Sequence, residues 1–193
     1  MTYLIIGLVL FLGVHSVRIF AEDWRARQLQ ARGEAAYKGV YSVLSLLGFA
    51  LIVYGFGVAR EAPVVLWVPP VALRHAAALV ILVAFVLLAA AYVPGNAIKA
   101  RVHHPMVLGV KTWALAHLLT TGRLETVLLF GAFLLWAVLN FAAARKRDRL
   151  AGMVDAPTVS RGATVLAVLL GGGAYAVFAV LLHGMLIGIR PFG

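Results

Sequence analysis

Arg101-Val102-His103-His104-Pro105-Met106-Val107-Leu108-Gly109-Val110-Lys111 runs on through a further apolar stretch to His117. Two adjacent histidines, an arginine and a lysine thus open a segment that otherwise has the composition of a buried helix. The segment reads as a transmembrane helix carrying costly groups, and the composition of the rest of the chain bears on that reading. Hydrophobic residues make up 63% of the sequence and charged residues 12%, with a mean hydropathy of +0.98. Soluble domains carry about 25% charged residues. So large an apolar fraction aggregates in water, so the solvent is a bilayer. There each ionisable group costs about 2.5–3.5 kcal/mol at mid-helix, so such groups face protein and serve a function.

Six apolar runs are readable outward from this stretch, over residues 3–20, 40–58, 75–93, 105–121, 124–144 and 162–188. Pro69-Pro70 and Pro94-Gly95 bracket the third. Pro105 opens the fourth at a favoured first-turn position, and Gly122 closes it. Glu125 stands near the start of the fifth, where the helix dipole favours an anion. The expected fold is all-α, a polytopic bundle of about six transmembrane helices forming one domain over residues 1–193. The first run lacks a basic segment before it and a clear cleavage site after it, so it reads as a retained helix. Residues 19–27, with Trp24 among charges, read as a continuation of that helix along the membrane surface. Residues 151–161 read as a polar loop.

The net charge of +10 lies in short loops, which argues for membrane orientation and against nucleic acid. Arg18, Arg25, Arg27, Arg32, Lys38, Lys99, Arg101, Arg145, Lys146, Arg147, Arg149 and Arg161 fall in loops one, three and five. Arg60, Arg74, Arg123 and Arg190 fall on the other side. This bias predicts that loops one, three and five are cytoplasmic and both termini periplasmic. A C-terminal reporter active only in the cytoplasm would contradict that orientation.

The chain has no cysteine. Thiolate ligation and disulfides are therefore excluded, and histidine is the main soft-metal ligand. Topology sorts the histidines by depth. His15 and His104 fall toward the basic side, where they are expected to meet at one level. His75, His117 and His183 fall toward the other, where His75 and His117 form a second candidate site. A haem b needs imidazoles from facing helices, each held by an acceptor, and His15 with His104 suits that demand. His103 and His117, 14 residues apart, would lie about 21 Å apart on nearly one helix face. Lys111, two turns into the fourth run, either snorkels to the interface or meets an internal anion such as a haem propionate. Arg18 and Arg101 share its side and are further propionate candidates.

Several ordered motifs resemble the NnrU family. They are Gly13-Val14-His15-Ser16-Val17-Arg18, Tyr37-Lys38-Gly39-Val40-Tyr41-Ser42, Leu66-Trp67-Val68-Pro69-Pro70 with Arg74-His75, Ala91-Tyr92-Val93-Pro94-Gly95, and His103-His104-Pro105-Met106 with Trp113 to Leu119. The resemblance implies a multi-pass protein of the bacterial inner membrane, in contact with lipid and linked to nitrite and nitric oxide reduction, with a nitric oxide reductase as a partner. The family is also similar to the plant zeta-carotene isomerase, a haem b enzyme of polyene cis–trans isomerisation. That similarity implies His15 and His104 as haem iron ligands, with His103 beside them, and a hydrophobic polyene as substrate. A haem-bearing electron-transfer or maturation factor is the alternative. His104-Pro105 also resembles an element of membrane methyltransferases that use S-adenosylmethionine. His103 there replaces an arginine, and no acidic pair follows.

Overall fold

The computed structural model describes residues 1–152 and 158–191. Residues 153–157 of the expected polar loop and the C-terminal residues 192–193 lie outside the described residues. The order is α1 (Thr2–Phe20), α2 (Glu22–Arg32), α3 (Glu34–Ala59), α4 (Ala72–Tyr92), α5 (Ala97–Val102), α6 (Pro105–Thr120), α7 (Leu124–Leu150) and α8 (Arg161–Val177). A π-helical turn (Phe178–Leu182) then leads into α9 (His183–Ile187). The chain is a helical membrane bundle.

Five helices are long and apolar enough to cross a membrane: α1, α3, α4, α7 and the continuous stretch Arg161–Ile187. The remaining expected span, α6, is 16 residues, about 24 Å long against a hydrocarbon core of about 30 Å. Its limits are chemical. Pro105 stands in its first turn, and Thr121 is extended (φ −141°, ψ 138°). Hydropathy underestimated two other helices, because α3 starts at Glu34 and α7 continues to Leu150 through polar residues. The first loop is not a continuation of α1. Ala21 leaves the helical region (φ −138°, ψ 43°), and α2 starts afresh. The short α5 was not expected. Its signal is Asn96, whose Oδ1 accepts from Lys99 N–H while its Nδ2 donates to the Ala90 and Val93 carbonyls.

Contacts between helix ends sort the bundle into two poles. At one, Arg147 Nη1 donates to the Arg18 carbonyl (3.5 Å), Ser160 N–H to the Gly95 carbonyl (2.8 Å), and His104 to Asp148. At the other, Arg60 Nη1 donates to the Ile187 carbonyl (2.7 Å) and Leu66 N–H to the Gly122 carbonyl (2.7 Å). Loops one, three and five thus share one pole, here the basic pole, as their charge suggested. The helix α6 runs from it to the other, the far pole.

Packing follows the rule for helices in lipid, where close backbone approach replaces bulky apolar burial. Ala84, Ala90, Ala114, Ala116, Ala137 and Ala167 are all 0% exposed. The α1–α3 contact is built on glycine. A Cβ on Gly7 would lie 2.6 Å from Ile52 N, one on Gly48 2.7 Å from Phe11 N, and one on Gly55 would collide with the Leu4 backbone. Leu4, Leu8 and Ile52 form the core of this contact, with Leu129, Ala132 and Phe133 of α7 packed against it.

Candidate functional site: two anchored imidazoles at the basic pole

His15 lies one turn from the end of α1, half-buried. Its Nδ1–H donates to the Phe11 carbonyl at 2.6 Å. That bond fixes the tautomer and leaves Nε2 free. The ring stacks on Phe11 (4.2 Å between centroids, 29° between planes), with Tyr41 at 5.1 Å and Trp136 edge-on at 6.2 Å. Three helices, α1, α3 and α7, therefore hold it. The Trp136 Nε1–H is buried with no hydrogen-bond acceptor among the described residues.

The turn between α5 and α6 sets His104. His103 caps α5 in a positive-φ conformation (φ 61°, ψ −43°), a strain of order 1–3 kcal/mol for a residue with a side chain. Its N–H still bonds to Lys99 O. His104 then precedes Pro105, which begins α6. This geometry turns the two neighbouring histidines apart. His103 is exposed, while His104 donates from Nε2 to Asp148 Oδ2 at 2.8 Å and leaves Nδ1 free. Phe141 stands edge-on to the His104 ring at 6.2 Å.

His15 and His104 thus both face α7, but not at one level. The Trp136 that borders His15 and the Phe141 that borders His104 are five residues apart on that helix, about 7.5 Å of rise and on different faces. His104 stands nearer the basic pole. The suggested His103–His117 spacing also fails. The positive φ at His103 and the break before Pro105 put His103 outside α6.

Lys111 is half-buried in α6 and makes no hydrogen bond or ion pair among the described residues. Arg101 is exposed, and Arg18 is paired with Glu22 at 3.8 Å. At the far pole His117 donates from Nδ1 to the Trp113 carbonyl (2.9 Å) and stacks on Phe130 (4.3 Å, 17°). His75 is exposed on the first turn of α4, and no hydrogen bond or ring pairing joins it to His117 among the described residues. Glu125 is fully buried there, and neither carboxylate oxygen has a partner among the described residues.

Asp148, Tyr41 and Trp136 were not singled out from the sequence. Asp148 is the lone acid within Arg145-Lys146-Arg147-Asp148-Arg149, and that isolation was its available signal. Tyr41 lay within a family-like motif without standing out in it, and Trp136 gave no signal beyond ordinary apolar periodicity. Between α1 and α7 lies an open groove of about 270 Å³, lined by Leu8, Leu12, Ser16, Leu135, Trp136 and Leu139 among others but not by His15 itself.

No curated protein and no solved structure matches the chain. The family model described as NnrU protein matches residues 3–191, nearly the whole sequence. With a helical membrane bundle beneath that match, the chain belongs to the NnrU family.

Proposed function

We propose that this NnrU-family protein binds haem b through His15 and His104. One observation carries the reading. Each imidazole has one nitrogen held by an acceptor, a backbone carbonyl for His15 and a carboxylate for His104, and its other nitrogen without a partner among the described residues. Metal-bound histidines are held this way, because the acceptor fixes the tautomer and raises ligand basicity. His15 and His104 are the residues that would hold the haem, both packed against aromatic side chains of α7. The Lys111 ammonium, without a partner among the described residues, supplies a cation for a propionate, with Arg18 and Arg101 nearer the membrane surface. Bound haem b supplies one-electron chemistry, which fits the family's link to nitrite and nitric oxide reduction. The chain's own residues orient the two imidazoles and surround them with Phe11, Tyr41, Trp136 and Phe141.

Polyene cis–trans isomerisation is the second reading, and the groove between α1 and α7 favours it, since Trp136, the neighbour of His15, lines it. The groove is apolar, and a lipid-borne substrate would reach it without crossing water.

The test is titration of the detergent-purified apoprotein with haem. The wild-type chain is expected to develop a saturable Soret band. Asp148→Ala removes the acceptor that orients His104 and is expected to weaken haem binding about 10–100-fold, the usual effect of losing such a partner. Equal affinity in both proteins would show that the Asp148 bond to His104 does not support haem binding.

A further inference from the structure

Residues 62–73 read Ala-Pro-Val-Val-Leu-Trp-Val-Pro-Pro-Val-Ala-Leu, twelve in a row with no charged, hydroxyl or amide side chain. They connect α3 to the first turn of α4 at the far pole. No helix forms over 62–70, for Pro63, Pro69 and Pro70 interrupt it. The backbone instead lies against the α6–α7 turn. Leu66 and Trp67 donate to the Gly122 carbonyl (2.7 and 3.3 Å), and Leu124 N–H donates to the Val64 carbonyl (2.9 Å). The fit is close enough that a Cβ on Gly122 would collide with the Trp67 carbonyl.

With the backbone turned inward, the side chains turn out. Val65 is 58% exposed, Trp67 45%, Val68 84% and Val71 64%. An apolar patch of this kind in water is an aggregation liability or a docking surface. Its setting identifies the occupant. The patch continues the exposed apolar sides of the helices it joins, represented by Val53 and Tyr54 on α3 and Leu79 on α4. Arg60 and Arg74 bracket it in sequence, and Trp67 lies within it, the residue types that anchor a chain at the headgroup level. Irregular backbone is tolerated near lipid only where its polar groups are satisfied. Here three prolines bring no N–H, and the Leu66 and Trp67 donors are bonded within the protein.

We propose that residues 62–71 form an interfacial strap. It is seated in the bilayer's headgroup–acyl boundary at the far pole and tied by its backbone to the α6–α7 turn. The strap is a lipid-binding surface separate from the helical spans and independent of haem.

The absence of cysteine allows the full-length chain to carry a single introduced thiol. A nitroxide is attached to Val68→Cys, or to Glu61→Cys as the exposed polar control, in proteoliposomes. Collision rates are then measured with oxygen, which partitions into lipid, and with a water-soluble nickel chelate. Position 68 is expected to favour oxygen over the chelate several-fold more than position 61 does. Equal chelate access at both positions would overturn the proposal. So would exclusion of both reagents from position 68, which would mean that protein covers the patch. A second readout needs no label. Brominated lipids should quench tryptophan fluorescence less in Trp67→Phe than in the wild-type protein, and unchanged quenching would count against the strap.

Discussion

Replacing His15 by alanine is expected to abolish the redox-sensitive Soret band, and His104→Ala to do the same. Each change removes one imidazole, and the neighbouring His103 is turned away from His104 by its positive φ. There is no cysteine, and among the described residues no group of three or more metal-ligating side chains offers a substitute site. The loss should exceed that in Asp148→Ala, which leaves both ligands in place. Controls separate ligation from damage to the fold. His103→Ala changes an exposed residue, and His75→Ala another at the opposite pole, so both should keep the band. His117→Ala tests the half-buried imidazole at the far pole and should also keep it. Full haem retention in both His15→Ala and His104→Ala would refute the proposed pair. Retention in only one would leave a single axial histidine.

The second large effect concerns folding. Gly48→Leu puts a side chain where a Cβ alone would lie 2.7 Å from Phe11 N and 3.0 Å from Phe11 Cα. Backbone cannot yield as a flexible side chain can, so α1 and α3 must separate. The cost is expected to meet or exceed the upper end of the range of about 1–3 kcal/mol for overpacking. The movement would also disturb the Phe11 ring that stacks on His15. Gly13→Leu on the same α1 is the matched control, since a Cβ there meets nothing within 4 Å. Thermal unfolding in detergent should show a marked loss of stability for Gly48→Leu and almost none for Gly13→Leu. Similar midpoints would show that the α1–α3 seam does not hold the bundle together.

The spans and their division between two poles were legible because membrane insertion leaves a strong local signature of apolar runs, prolines and clustered basic residues. His15 and His104 also stood out, since a histidine in such a run is chemically conspicuous. What stayed hidden depends on tertiary contact or on backbone conformation. Asp148 sits in a basic run, and nothing local reveals that it meets His104, 44 residues away. The axial offset between His15 and His104 follows from how α1 and α6 pack against α7, which depth along a sequence does not specify. The His103–His117 spacing assumed a continuous helix, whereas His103 takes a positive φ and Pro105 starts a new one. The strap over residues 62–71 looked like a proline-bounded loop, and only the Gly122 contact shows which way its side chains turn.

The most direct measurement of the central claim is the absorption spectrum of protein purified in detergent from haem-replete cells, recorded oxidised and after reduction with dithionite. Ligation by His15 and His104 is expected to give a Soret band that shifts on reduction and sharp low-spin visible bands in the reduced protein. A well-folded preparation with no Soret absorption, before or after added haem, would contradict it.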